Sequence, residues 1–163
     1  MDAADSRQVL LQAAQGNRIA PSELQAAIAA LERQPSAQAS NLEGEWRSVW
    51  TSGTARAQQL GLPTQRLAGC IRQRFKTAQH WLETELDWGW GYLRASGPFE
   101  LTERQRIRFT FAQLALKLGP LPAVRIPLGQ RARGWLQTTY LDAQVHIERG
   151  DRGGVAAYVR AAS

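Results

Sequence analysis

From Leu42 onward the chain breaks into short runs of alternating apolar and polar residues, separated by Gly, Pro and Asp. Alternation with a period of two is the pattern of a strand with one buried face. The spacing predicts strands near Leu42–Ser52, Ile71–Thr77, Gln79–Trp88, Trp90–Leu101, Arg104–Leu116, Gly134–Leu141, Gln144–Arg149 and Val155–Arg160. Many short, evenly spaced strands imply an antiparallel barrel or sandwich. Two reversals close the pattern. Asp142-Ala143 suits a short connection between antiparallel strands, and Gly150 to Gly154 has the glycines that a tight turn needs.

The first forty residues read differently. Ser6 is placed to cap a short helix containing Val9, Leu10, Ala13 and Ala14, which Gly16 ends. Pro21 starts a second helix, in which Ser22 and Gln25 have capping-box spacing. Leu24, Ala27, Ile28 and Leu31 then recur on one face. Pro35 to Asn41 reads as a polar linker, Thr64 to Cys70 as a helical turn, and Leu118 to Arg133, with three prolines, as an irregular loop. The expected architecture is mainly β: residues 1–40 form a helical segment and residues 41–163 a barrel domain.

The alternation also sorts side chains by face. Trp46, Ser48 and Trp50 share a side of the first strand. His80, Leu82, Thr84, Leu86 and Trp88 oppose Trp81, Glu83, Glu85 and Asp87. Ile107, Phe109 and Phe111 oppose Arg104, Arg106, Arg108 and Thr110. Val145, Ile147 and Arg149 form an apolar side opposite Gln144, His146 and Glu148. A small barrel with a filled or ligand-holding interior needs one apolar side per strand.

Composition narrows the function classes. The chain has 163 residues, a net charge of +6 and a pI near 10.4, which favours anionic partners. A nucleic-acid reading would need exposed aromatics interleaved with the arginines, whereas Ile107 and Phe109 point away from Arg106 and Arg108. The single cysteine, Cys70, excludes an internal disulfide framework and reads as a small buried residue in a reducing compartment. No apolar run is long enough to span a bilayer, and the acidic N-terminus is neither a signal nor a transit peptide, so a cytoplasmic protein is expected.

Other constellations have plain readings. Glu83, Glu85 and Asp87 read as a solvated strand face rather than an acid–base cluster. His80 and His146 lack metal-ligand spacing, and no metal site is expected. The tripeptide Arg149-Gly150-Asp151 is a chance match to an adhesion motif. There is no phosphate loop and no nucleophile elbow, so no catalytic residues are assigned.

The segment from Leu42 through Ser52, with Gly44, Trp46 and Trp50, resembles the L-x-G-x-W-x-L-x-Y-T-[TS] opening of the plastid lipid-associated protein (PAP)/fibrillin family. Thr139-Tyr140-Leu141-Asp142 through Ile147-Glu148-Arg149-Gly150-Asp151 resembles that family's closing signature. The helices ending at Leu31 to Pro35 resemble its lead-in. The chain departs from the pattern at Trp50, where Tyr is usual, at His146, where a basic residue is usual, and at Ala156-Ala157, where larger apolar residues are usual.

The resemblance implies a lipocalin-like barrel without a resident cofactor, of the compact kind found in cyanobacteria. It implies a bound lipid, prenylquinone or carotenoid and peripheral association with thylakoid membranes. Its alternative is an accessory module for an isoprenoid or quinone biosynthetic enzyme. The lumen residues expected to touch a ligand are Trp46, Trp50, Leu82, Leu86, Phe109, Phe111 and Trp135. Gly44, Trp46, Tyr140, Asp142, Arg149, Gly150 and Asp151 are expected to be architectural. By the same resemblance Arg149 packs over Trp46 and closes one barrel end, with Arg160 as the other candidate. Arg104, Arg106, Arg108, Arg125, Arg131 and Arg133 read either as solvated or as a surface that docks on anionic lipid.

Overall fold

A computed structural model describes residues 1–35, 42–53 and 64–162. Helices α1 (Ala3–Ala14) and α2 (Pro21–Leu31) precede strands β1 (Gly44–Thr51), β2 (Ile71–Lys76), β3 (Trp81–Asp87) and β4 (Gly91–Leu101). Strands β5 (Arg106–Leu118), β6 (Val124–Leu141), β7 (Val145–Gly150) and β8 (Val155–Arg160) complete the chain. The strands follow one another in order around a closed antiparallel barrel, and β8 returns to pair with β1. Each strand is thus paired with a neighbour on both sides over at least part of its length. The expected linker over 36–41 lies outside the described residues.

The helix starts differ from expectation. Asp2 caps α1, its side chain accepting from Asp5 N, while Ser6 is buried and donates its hydroxyl to Asp2 O at 2.7 Å. Helix α2 has no side-chain cap; Pro21 at its first position sets the backbone instead, and the Ser22–Gln25 box does not form. Leu24, Ala27, Ile28 and Leu31 are buried as the periodicity requires.

The region expected to be an irregular loop is mostly strand. β6 begins at Val124 and pairs with β5 through Leu116↔Val124, Leu114↔Ile126 and Gln113↔Pro127. The ladder then breaks and resumes at Phe111↔Ala132. Proline has no N–H to donate, so Pro127 falls where a bulge interrupts the pairing. β7 pairs only with the far end of β6, between Leu136 and Leu141, so Val124 to Trp135 have no β7 partner. The β5–β6 hairpin therefore overhangs the end of β7.

Two apolar clusters form, one on each side of the barrel wall. Leu42, Trp46, Phe75, Leu82, Phe99, Ile107, Leu141 and Tyr158 fill the interior, with Phe109, Phe111, Leu136 and Ala156 packed against them. Outside, Val9, Leu10, Leu24, Ile28 and Leu31 of the helices pack on Trp50, Tyr140, Val145, Ile147, Ala157 and Val159. The helices thus cover the outer face of β1, β7 and β8, and residues 145–148 are buried on both faces.

That covering corrects two face assignments. A bulge between Ser48 and Trp50 shifts the register by one, so Trp46 stays inside while Trp50 turns out beneath the helices. On β7 the apolar residues Val145 and Ile147 meet the helices, and the residues that point inward are His146 and Glu148.

Candidate functional site

The barrel interior is packed at one end and hollow at the other. At the packed end Arg160 lies over Trp46, its guanidinium carbon 4.2 Å from the ring centroid. Arg160 Nε donates to Ala143 O at 2.7 Å and Nη1 donates to Glu43 O. Trp46 is fully buried and donates Nε1–H to Leu42 O at 2.9 Å. Gly44 sits at φ +112°, and a Cβ there would lie 2.9 Å from Arg160 Nη1. The positive φ calls for glycine, and a Cβ there would also push the Arg160 guanidinium aside.

Arg149 does not reach Trp46. It stands on the outer face, 53% exposed, and donates from Nε and Nη2 to the Glu32 carboxylate at 2.8 and 2.6 Å. The reason is parity. Odd-numbered β7 residues face the helices, so Arg149 ties α2 to the barrel, while Arg160 points inward from β8. Tyr140 and Asp142 have architectural positions. Asp142 Oδ1 accepts from Gln144 N and Val145 N, Oδ2 accepts from the Tyr140 hydroxyl, and Oδ2 is also ion-paired with Arg7 Nε at 2.7 Å. Gly150 and Asp151 form the β7–β8 turn, closed by Gly153 N donating to Gly150 O.

The hollow end contains a cavity of about 520 Å³. Ile71, Phe109, Phe111, Leu114, Leu128 and Leu136 are among its lining, with Ala95, Ala132 and Ala156 leaving room. The β7–β8 turn, with Asp151 and Arg152, stands at its rim together with Arg133. Ligand cavities of this character run from about 300 to 1,000 Å³. Ala156 widens this space, whereas Ala157 is fully buried on the other face beneath the helices.

Of the expected lumen residues, Trp46 and Leu82 belong to the packed interior, and Phe109 and Phe111 line the cavity. Their rings are 4.6 Å apart. Leu86 is half-buried and cross-strand from Ile71 and Leu93. Trp50 is outside, as described. Trp135 is also outside; the Arg106 guanidinium stacks on it at 4.3 Å, beside Arg108, its cross-strand neighbour.

A buried polar group inside the barrel was not expected. Glu148 is 4% exposed and is among the residues lining the cavity. Its Oε1 accepts from Gln73 Nε2 at 2.7 Å, and the Tyr158 hydroxyl lies close enough to interact with the same carboxyl. Its Oε2 has no hydrogen-bond partner of good geometry. His146, fully buried, is stacked on Tyr158 and meets Trp46 edge-on, and its Nε2 is 3.3 Å from Thr138 Oγ1. Ser48 Oγ, Gln73 Oε1 and His146 Nδ1 are likewise buried without partners.

Burial dictates the charge state of this group. Desolvation pushes the Glu148 carboxyl up to about 7, against the opposing hydrogen bonds of Gln73 and Tyr158. Desolvation, helped by the Arg160 charge, brings His146 down to about 3. Both are therefore neutral through mildly acidic pH, and the 3.9 Å between His146 Nε2 and Glu148 Oε2 is not an ion pair there. Among the described residues no cluster of three or more His, Cys, Asp or Glu is arranged to hold a metal.

The remaining charges lie on the outer wall. Glu83 pairs with Arg74 and Lys76, Arg74 also with Glu45, Glu85 with Arg94 and Asp87 with Arg72. The acidic run is a cross-strand ion ladder. The arginines do not form one patch. Arg106 is level with Gln137 near one end of the β5–β6 ladder and Arg125 with Ala115 near the other. At about 3.4 Å per residue that separates them by roughly 30 Å. Among the described residues, five of the eight exposed large apolar side chains are at the overhang, namely Trp90, Leu118, Leu121, Val124 and Ile126, while Met1, Leu67 and Leu101 lie elsewhere. Gly119 N donates to Trp90 O at 2.8 Å and joins the β3–β4 turn to the hairpin tip.

A model of the PAP_fibrillin family matches residues 8–157. A probable plastid-lipid-associated protein 3, chloroplastic, of Oryza sativa subsp. japonica is 44% identical over 45 residues, which are 26% of this chain and 12% of that protein. The chain thus aligns with about an eighth of that relative's length. No solved structure matches the chain.

Proposed function

This chain belongs to the PAP/fibrillin family, and from that premise we propose that it is a non-catalytic carrier of a lipophilic small molecule. The ligand is a lipid, prenylquinone or carotenoid, and the site of work is the surface of a photosynthetic membrane. The observation that carries this reading is the apolar cavity of about 520 Å³ at one end of a barrel whose other end is packed solid. An accessory module for an isoprenoid or quinone enzyme needs no such hollow, so the cavity favours the carrier.

The route to the membrane follows from the overhang. Cross-strand partners share a face of a sheet. Leu114, which lines the cavity, is opposite Ile126, and Leu116 is opposite Val124. The apolar inner face therefore continues from the cavity along the hairpin toward Leu118 and Leu121, with Lys117 and Arg125 beside it. A bilayer is the partner this end suits: apolar side chains enter the interface and the two cations meet anionic headgroups.

The deciding experiment is solvent extraction and mass spectrometry of protein purified from a photosynthetic host. A stoichiometric prenylquinone, carotenoid or acyl lipid is the expected result. A ligand-free protein after mild purification, together with a stable complex with a biosynthetic enzyme, would replace the carrier reading with the accessory one.

A further inference from the structure

A carboxyl group without a counter-ion is costly inside an apolar barrel, and an oxygen that lacks a partner there adds to that cost. Glu148 occupies that position. Its neighbours do not neutralise it. Gln73 on β2 donates one hydrogen bond, Tyr158 on β8 is a neutral hydroxyl, and His146 two residues away on β7 is held uncharged. Thr138 on β6 is engaged with His146, and Ser48 on β1 is neutral. The charged side chains around the cavity, Arg133, Asp151 and Arg152, are exposed at its rim. Glu148 is the buried ionisable side chain among the described residues lining the cavity, and its Oε2 has no good partner there.

We propose that Glu148 is the polar contact for the ligand: an amphiphile enters head first and its uncharged oxygen, a hydroxyl or carbonyl, hydrogen-bonds to the Glu148 carboxyl, while anionic head groups are turned away. This rests on the carrier reading and adds the chemistry of the head group. A hydroxyl suits both states of the carboxyl, since it accepts from the acid and donates to the carboxylate. A carbonyl suits the acid. A carboxylate or phosphate head would bring a second negative charge into a site of low dielectric and meet repulsion once Glu148 ionises.

The test uses the full-length protein and displacement of a neutral fluorescent dye, N-phenyl-1-naphthylamine, by dodecanol or dodecanoate at about pH 8, where the carboxyl is ionised. Dodecanol is expected to bind about tenfold more tightly than dodecanoate, as one charge-assisted hydrogen bond predicts. Glu148→Leu is expected to keep dye uptake and lose about tenfold in dodecanol affinity. Glu148→Gln, which keeps a donor and an acceptor but has no charge, is expected to retain dodecanol and gain dodecanoate. Equal affinities for the two ligands in the native protein, or unchanged preference in both variants, overturn the proposal and leave the carrier reading in place. A native protein that takes up no dye overturns both.

Discussion

Arg160 and Trp46 form the plug of the barrel: the guanidinium lies 4.2 Å above the indole and also hydrogen-bonds to the carbonyls of Ala143 and Glu43. One side chain thereby fastens the last strand to the chain leading into the first and to the β6–β7 turn.

Trp46→Ala is expected to cost about 3–5 kcal/mol, as for other large buried aromatics. Arg160→Ala is expected to cost about 1–2 kcal/mol, through a partly desolvated cation–π contact and its hydrogen bonds. Arg149→Ala is expected to cost less than about 1 kcal/mol, because its ion pair with Glu32 is half in water. Urea denaturation of the three variants measures this. An Arg149 loss larger than that of Arg160 contradicts the assignment of the plug.

Stability should respond to pH in a way that separates Glu148 from His146. Between 4.5 and about 7 the folded protein keeps a Glu148 proton that the unfolded chain has lost, so this residue lowers stability as pH rises. Between about 3 and 6.5 the unfolded chain binds a His146 proton that the folded protein refuses, so this residue raises stability as pH rises. The two oppose each other from 4.5 to 6.5. Glu148→Gln removes only the first contribution. Its stability relative to the native protein should increase from pH 4.5 to above pH 7, by on the order of 3 kcal/mol. A difference that stays constant across that range would show that Glu148 is not held protonated by the fold.

Adjacent alanines should behave as opposites. Ala156→Phe points into the cavity and is expected to abolish dye uptake while changing stability by less than about 1 kcal/mol. Ala157→Phe is wedged between barrel and helices and is expected to cost about 1–3 kcal/mol while leaving uptake intact. Dye titration and denaturation on both proteins read the two effects separately. Uptake lost at 157 but kept at 156 would invert the barrel's inside and outside.

Membrane attachment should depend on the hairpin tip. Leu121→Asp combined with Trp90→Ala is expected to reduce sedimentation with vesicles containing phosphatidylglycerol by about tenfold or more, from lost apolar insertion alone. Arg104→Ser with Arg108→Ser, at the far end of the sheet, is expected to change it by less than about twofold, being beyond the reach of headgroup charge. The reverse order of effects would move the contact to the arginine-bearing wall.

Strand order and the interior position of Trp46, Leu82, Phe109 and Phe111 were legible because long stretches of the alternation are unbroken. Trp50 was not. A single bulge inverts every face beyond it, and nothing in Ser48-Val49-Trp50 announces one. β6 was obscured by prolines, which normally argue against a strand; Pro120 and Pro122 precede β6, and Pro127 within it falls at a bulge. Glu148 and His146 were hidden by a sound rule used on the wrong side. Apolar residues seek burial, but two amphipathic helices gave Val145 and Ile147 a place to be buried outside the barrel. The apolar face of Leu24, Ala27, Ile28 and Leu31 had to cover something, and that was the available signal. Arg149 faces outward for the same reason, and the place over Trp46 goes to Arg160, the other candidate.

The overhang of β5 and β6 bears on kinetics. A lipophile that leaves a bilayer through water does so as a dissolved monomer, at a rate set by its own insolubility and independent of how much acceptor is present. If the chain is a carrier that docks by this end, an apolar strip from the cavity to the hairpin tip would remove that step, and exchange would become a matter of collision between protein and membrane. Uptake would then scale with vesicle concentration and vary little with the ligand's chain length, so the barrel would load sparingly soluble molecules as readily as more soluble ones.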